Sequence, residues 1–193
     1  MHDSQDSQDS PVASEAIAHC PFWCEENIWH LCGHSALASA ELRQVLIVSN
    51  LQGRFAMWAQ RAAPHPSLPL AWDYHVVVLA RAAGQWRVWD LDSTLGAPTP
   101  ANHWLDSSFL PLRPSAQAWA PSFRVVAAAD YRRELSSDRS HMLDECGEYR
   151  EPPPAWPAIG RGPANLRRFL DFGDAFLGEI LSLAELRAWL AGC

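Results

Sequence analysis

The sequence predicts an α+β fold, in which a mixed, largely antiparallel sheet is layered between helices. One indication is a helical repeat of apolar residues that begins at Cys24. A second is a pair of strand-like segments, 75–79 and 85–90, on either side of a turn at 82–84. The third is a helix-capping pattern at 182–185, which places another helix at the C-terminal end.

Composition indicates one folded domain after a short tail. The chain has 193 residues, of which 48% are hydrophobic and 19% charged, so it can bury a sizeable core. Residues 1–18 repeat Asp-Ser-Gln and hold four acids but no basic residue. Such a segment has little apolar surface to offset the entropy of ordering. We therefore predict a disordered acidic tail at 1–18 and a single domain at 19–193.

The charge pattern and the cysteines exclude several classes of function. The formal net charge is −7 and the arginines form no stripe among the aromatic residues, so no nucleic-acid partner is expected. The sequence shows neither a signal-peptide pattern nor an apolar run of about 20 residues, so no membrane partner is expected either. The five cysteines are an odd number without a C-x-x-C pair, which favours reduced thiols. A cytoplasmic monomer is predicted, with the nucleus as a further location if the source is eukaryotic.

The first half of the predicted domain contains a helix and two strands. The apolar spacing predicts a helix from Cys24 to about Ala40, with two acids in its first turn. Residues 44–49 are an apolar run typical of a buried strand, and a turn leads to a second strand at 55–59. The proline-rich segment 62–71 is predicted to be irregular.

The hairpin and the C-terminal half complete the sheet. If segments 75–79 and 85–90 pair across their turn, His75 and Asp90 lie at the same end of the sheet. Alternation also places Asp90 on one face with Trp86 and Val88. Further on, the sequence predicts a strand at 123–127, an extended segment at 152–154, a helix at 165–172 and a last helix from 182 to 192.

Three residues suited to thiol-based acyl transfer follow one another along this framework. Cys24 stands at the start of a helix, where backbone N–H groups and the dipole favour a thiolate. Glu25 and Glu26 oppose that effect, so the thiol needs a base from elsewhere in the fold. His75 would supply the base, and Asp90 the carboxylate that orients it. The order therefore indicates a cysteine-dependent enzyme with Cys24, His75 and Asp90 as its triad.

Structural roles and other chemistries remain alternatives at this point. Free cysteines are frequent core residues, an interpretation that suits Cys32 better than Cys24. Zinc is less favoured because no two cysteines have the usual short ligand spacing, and we expect neither a metal nor a cofactor. The residues weighed for zinc are His19, Cys20, Cys24, His30, Cys32 and His34. A thiol redox sensor would need a resolving cysteine, and none is marked.

Five strings in chain order resemble the protein N-terminal glutamine amidohydrolase family. They are Trp23-Cys24-Glu25-Glu26-Asn27-Ile28-Trp29, Trp72-Asp73-Tyr74-His75-Val76-Val77, Trp89-Asp90-Leu91-Asp92, Ser137-Asp138-Arg139-Ser140-His141-Met142 and Arg150-Glu151-Pro152-Pro153-Pro154. The resemblance covers nearly the whole chain except the tail. It implies a three-layer α/β/α sandwich related to papain-like and transglutaminase-like cysteine enzymes. It also implies Cys24 as nucleophile, His75 as base and Asp90 as orienting residue.

The resemblance further implies the substrate of the single catalytic domain. It is the side-chain amide of an N-terminal glutamine in a protein or peptide, converted to glutamate with release of ammonia in the manner of an N-degron enzyme. Restriction to N-termini requires acceptors for the α-ammonium group, and five acids are candidates: Glu25, Glu26, Asp73, Asp92 and Asp138. The alternatives are a non-catalytic module that binds N-termini and a cysteine amidase or peptidase of different substrate scope.

Overall fold

The computed structural model describes residues 15–160 and 162–192, so most of the predicted tail lies outside the described residues. The strands are β1 (Leu42–Ser49), β2 (Phe55–Met57), β3 (Leu70–Trp72), β4 (His75–Ala82), β5 (Gln85–Trp89), β6 (Thr99–Pro100), β7 (Ser122–Ala127) and β8 (Glu179–Ser182). The helices are α1 (Cys24–Leu31), α2 (Ala101–Ser108), α3 (Ala128–Glu134), α4 (Leu166–Leu170) and α5 (Leu183–Gly192). Three short 3₁₀ helices lie at Ser35–Leu37, Pro114–Trp119 and Ser140–Met142.

A six-stranded sheet forms the centre of the structure, with the order β6-β5-β4-β1-β7-β8. Every pairing described within it is antiparallel, so the parallel pairing implied by a mixed sheet is not among them. Strands β1 and β4 lie in the middle and are apolar on both faces, as buried strands are. The α+β prediction is therefore confirmed, with a wholly antiparallel sheet over the described residues.

Helices cover both faces of this sheet. On one face, α1, α3 and α4 pack over alternate residues of the central strands, such as Val45 and Val76. On the other, α2 and α5 pack over the intervening residues, such as Leu46 and Val77. The result is a layered arrangement with one apolar core on each side. In the part of the chain that the structure describes, no helix is long and apolar enough to span a bilayer.

Helix α1 is shorter than its sequence pattern predicts. It ends at Leu31, and a separate 3₁₀ turn follows at Ser35–Leu37. The chain turns away at Gly33, where the guanidinium group of Arg132 occupies the space of a side chain. A Cβ atom on Gly33 would lie 2.4 Å from that group. Gly33 has no side chain, which leaves room for Arg132 to pack against the chain just beyond the end of the helix.

Two other elements differ from their predictions. The proline-rich segment contains a strand, β3, which pairs with β2 in a separate two-stranded sheet. Helix α4 begins one residue late, because the Asn165 side chain binds the backbone of Glu134 and Ser136, and it ends two residues early. The capping pattern before α5 is confirmed, since Ser182 and Glu185 exchange reciprocal hydrogen bonds.

The predicted hairpin forms with a two-residue turn. Ala82 pairs with Gln85, and both turn residues between them have positive φ, 50° at Ala83 and 73° at Gly84. Continuing this register places Asp90 opposite Val77, two residues beyond His75. A shift of two residues keeps every side chain on its original face. His75 and Asp90 therefore stay on one face at the same end of the sheet.

Candidate active site

Cys24 is the first residue of α1 and is nearly buried, with 4% of its surface exposed. The Trp23 side chain makes no capping hydrogen bond at this helix start, so it occupies none of the first N–H groups. The sulfur of Cys24 accepts a hydrogen bond from the backbone of Val76, the residue that follows His75. The fold therefore places the thiol beside the beginning of β4.

The surroundings of Cys24 favour the neutral thiol. Burial raises its pKa well above the ordinary cysteine value, and the carboxylates of Glu25, Asp92 and Asp73 raise it further. The Val76 hydrogen bond acts in the opposite direction but is weaker than burial. The opposition by Glu25 agrees with the sequence argument. The helix start alone does not make this thiol a thiolate.

His75 and Asp90 form a buried hydrogen-bonded pair. The Nε2 atom of His75 lies 2.8 Å from Oδ1 of Asp90, and neither residue is exposed. Burial lowers the pKa of His75, but the carboxylates of Asp90 and Asp92 together outweigh it, so the net shift is upward. With Nε2–H donating to Asp90, Nδ1 carries the lone pair. That atom is buried and has no hydrogen-bond partner among the described residues.

Asp90 is held ionised by several donors. Besides His75, it accepts hydrogen bonds from the indole of Trp104 at 3.0 Å, the amide of Gln60 at 3.2 Å and the backbone N–H of Asp92 at 3.1 Å. Burial raises the pKa of Asp90, but His75 and these donors outweigh it and lower it overall. Gln60 and Trp104 carry no local sequence signal, so sequence reasoning missed both.

Trp72 covers the face of the His75 imidazole. The two rings are stacked, with centroids 5.2 Å apart and planes 11° from parallel. The Trp72 indole also donates to the side-chain oxygen Oε1 of Gln60 at 3.3 Å, so the ring that covers His75 contacts a residue that donates to Asp90. This contact gives the Trp72–His75 string a physical reason to contain a tryptophan.

A second polar group lies beside Cys24, centred on the buried Glu25. Its Oε2 atom is 3.9 Å from the Cys24 sulfur and accepts a hydrogen bond from the Tyr74 hydroxyl at 3.0 Å. The Nε2 atom of His141 lies 3.2 Å from Oε1 of Glu25 and 3.2 Å from the Tyr74 oxygen. Tyr131 donates to the Glu25 carbonyl and fixes the backbone. We refer to Glu25, Tyr74 and His141 as the Glu25 cluster.

Glu26 has a different role from its neighbour. Arg139 donates two hydrogen bonds to its fully buried carboxylate, at 2.8 Å and 2.7 Å, and the indole of Trp156 donates a third at 2.8 Å. Arg139 directly follows Asp138 in the sequence, but its carboxylate partner is Glu26, whereas Asp138 accepts from Ser140. Glu26 is therefore neutralised within the fold.

The remaining acids proposed for substrate binding are also engaged. Asp92 is buried and lies 2.9 Å from Nε2 of His19. Asp73 is exposed and accepts the backbone N–H of Tyr74, and Asp138 is exposed and bonds Ser140. Of these three, Asp73 and Asp92 are near enough to Cys24 to raise its pKa.

A close group of possible metal ligands occurs at the same end of the sheet. Ligand atoms of His75, Asp90 and Asp92 all lie within 4.8 Å of one another. This set differs from the histidines and cysteines around α1 that the sequence raised as a zinc alternative. When Nε2–H of His75 donates to Asp90, that nitrogen has no lone pair to offer a metal ion.

Removing Arg139 should cost substantial stability. An Arg139→Met substitution leaves the Glu26 carboxylate buried without its cation, which typically costs about 3–5 kcal/mol. Arg133→Met is the matched control, because Arg133 is 59% exposed and its ion pairs are screened by water. Urea unfolding of both variants measures the difference. Equal midpoints for the two variants would contradict the assigned role of Arg139.

Comparisons with known proteins give the family of the chain. Residues 19–190 match the model of a family described as N-terminal glutamine amidase. The chain is 35% identical to a protein N-terminal glutamine amidohydrolase of Bos taurus, over 92% of this chain and 94% of the relative. It is 36% identical to the Homo sapiens protein of that name, over 89% and 86%. The Danio rerio relative is 30% identical over 96% of each chain. The chain therefore belongs to the N-terminal glutamine amidase family.

Proposed function

We propose that this protein hydrolyses the side-chain amide of an N-terminal glutamine in proteins or peptides, yielding glutamate and ammonia. The names of its relatives support the substrate. The observation that carries the chemistry is the buried His75–Asp90 pair, whose free Nδ1 atom lies at the strand end where Cys24 sits. In this proposal Cys24 is the nucleophile, His75 the general base and acid, and Asp90 the orienting group.

The first step begins from a neutral thiol and a neutral imidazole. Because burial raises the pKa of Cys24, the proton stays on sulfur until the substrate is bound. His75 takes that proton at Nδ1, and its raised pKa makes it the stronger base. Asp90 stabilises the imidazolium that forms. The sulfur then bonds to Cδ of the substrate glutamine, and the carbonyl π electrons move to oxygen.

The second step releases ammonia and leaves a thioester. The proton on His75 passes to the amide nitrogen as the C–N bond breaks, so neutral ammonia departs. His75 then removes a proton from water, and the hydroxide that forms attacks the thioester carbonyl. The C–S bond breaks, sulfur regains the proton, and the product is an N-terminal glutamate.

The start of α1 is suited to stabilise the charge on oxygen. The first N–H groups of a helix lack intrahelical partners, and the Trp23 side chain caps none of them here. We assign the Cys24 backbone N–H as one donor to the oxyanion, with a side chain as the second. A nucleophile at a helix start and a histidine on a strand also support the expected relationship to papain-like and transglutaminase-like enzymes.

A substrate panel tests the proposed function. We expect ammonia release from a peptide that begins with glutamine, and none from peptides with N-terminal asparagine, internal glutamine or acetylated N-terminal glutamine. Release from internal glutamine would instead indicate a general deamidase. Binding of the glutamine-initiated peptide without ammonia would indicate a non-catalytic module. Either result would overturn the proposal.

A further inference from the structure

Several acidic side chains lie close to the buried thiol of Cys24. Three carboxylates, those of Glu25, Asp92 and Asp73, act together on the thiol and raise its pKa. Uncompensated charge in a buried place is costly, so such carboxylates normally have a cation as partner. A buried carboxylate among them that lacks such a partner therefore marks a place where a positively charged ligand would fit.

Among the five acidic candidates, Glu25 differs in having an unsatisfied buried oxygen. Glu26 is held by Arg139, and Asp92 contacts His19. Asp73 and Asp138 are exposed and bonded to neighbouring groups. Glu25 is 0% exposed, yet its Oε1 atom has no hydrogen-bond partner among the described residues. His141 is 3.2 Å from that atom, but the two are not aligned for a hydrogen bond.

Tyr74 adds a second acceptor to the Glu25 cluster, and His141 lies beside both residues. The Tyr74 oxygen donates its proton to Glu25 and keeps lone pairs, and Nε2 of His141 lies 3.2 Å from that oxygen. A primary ammonium group carries three donors, and the free carboxylate oxygen of Glu25 and the phenol oxygen of Tyr74 supply acceptors for two of them. The cluster is also next to the reacting sulfur, because Oε2 of Glu25 lies 3.9 Å from it.

We propose that Glu25, assisted by Tyr74 and His141, binds the α-ammonium group of the substrate and so restricts the enzyme to N-terminal glutamine. This inference rests on the proposed function and specifies how its site selects the substrate. His141 also lines a cavity of about 230 Å³ with Ser137, Asp138 and Leu166. This cavity adjoins the His141 side of the cluster.

The test is a comparison of two substrates that differ only in the α-amine. One is a glutamine-initiated peptide, and the other is the same peptide with a glutaramoyl group in place of glutamine, which keeps the amide and lacks the amine. We expect the wild-type protein to favour the first by about 100-fold or more in kcat/KM, as for a buried charge pair. In Glu25→Gln, which preserves the side-chain shape, this preference should fall to less than about tenfold.

The ratio separates recognition from structural damage. A fault in the fold or in the pKa of Cys24 lowers both substrates equally, whereas loss of an ammonium partner lowers only the glutamine-initiated peptide. Asp73→Asn and Asp92→Asn remove the other nearby charges and should keep the wild-type preference. If Glu25→Gln does not fold, Glu25→Asp keeps the charge but withdraws it by one methylene, and it should also reduce the ratio.

Two results would overturn the inference. One is an unchanged preference in a folded Glu25 variant, and the other is loss of the preference in Asp73→Asn or Asp92→Asn instead. Both require an active wild-type protein, so they differ from failure of the proposed function. If the proposed function itself is wrong, the wild-type protein releases no ammonia from either substrate.

Discussion

Replacement of Cys24 by alanine is expected to lower ammonia release from a glutamine-initiated peptide by roughly 10⁵–10⁶-fold, the scale seen when a catalytic nucleophile is removed. In the proposed mechanism the thiol forms the bond to the substrate, and alanine has no group that can replace it. A coupled ammonia assay measures the rate. Circular dichroism should show an unchanged fold, because the change removes a single heavy atom next to the polar Glu25 cluster.

Cys32→Ala is the matched control for this variant. Cys32 is also buried, at 5% exposure, but it belongs to the apolar core beneath α1. Its replacement should cost about 1 kcal/mol of unfolding free energy and leave kcat close to wild type. If the two variants exchanged these effects, the nucleophile would be Cys32 and the assignment of Cys24 would be wrong.

Asp90→Asn should reduce kcat by about 10³–10⁴-fold, by analogy with the same change in a serine protease triad. Asp90 accepts hydrogen bonds from His75, Trp104, Gln60 and the backbone of Asp92. The amide group of asparagine brings donors into this set of donors. If the asparagine amide donates to Nε2 of His75, the imidazole carries its proton on Nδ1 instead. A protonated Nδ1 cannot accept the proton of the thiol.

The pH profile separates this effect from general damage. His75 must be neutral to accept the thiol proton, so kcat/KM should rise with pH through its pKa. Because Asp90 raises that pKa, the rise of kcat/KM in the wild-type protein should be centred at a pH above the ordinary histidine pKa of about 6.5. Without the Asp90 carboxylate, the rise of the residual kcat/KM should move to lower pH. Trp104→Phe, which removes one donor but keeps the charge, should cost only on the order of tenfold. If kcat/KM of Asp90→Asn rises at the same pH as that of the wild type, the assigned role of Asp90 is contradicted.

The sequence predicted the parts of the fold that depend on local patterns. Apolar alternation and turn residues located the hairpin, and the two-residue difference in register left His75 and Asp90 on the same face. The helix start at Cys24 followed from the apolar spacing and the acidic first turn. Its end did not, because the apolar spacing continues past Leu31, whereas the chain leaves the helix there and Gly33 packs against Arg132, about a hundred residues away in sequence.

The partners of the site residues were beyond sequence reasoning for the same reason. Glu25 and Glu26 are adjacent and chemically alike, yet one is neutralised by Arg139 and the other is left with an unsatisfied oxygen. Only tertiary contacts between α1 and the segment around residue 140 distinguish them. Gln60 and Trp104 are similar cases, since nothing in their neighbourhoods marks them as donors to Asp90.

The central claim is that Cys24 forms a thioester with the substrate glutamine. Rapid acid quenching of the wild-type protein with a glutamine-initiated peptide, followed by mass spectrometry of proteolytic fragments, tests it directly. The account predicts an adduct on the fragment that contains Cys24, with the mass of the peptide less one ammonia, which decays as glutamate product appears. An adduct on another residue, or a burst of ammonia with Cys24 unmodified throughout, would contradict it.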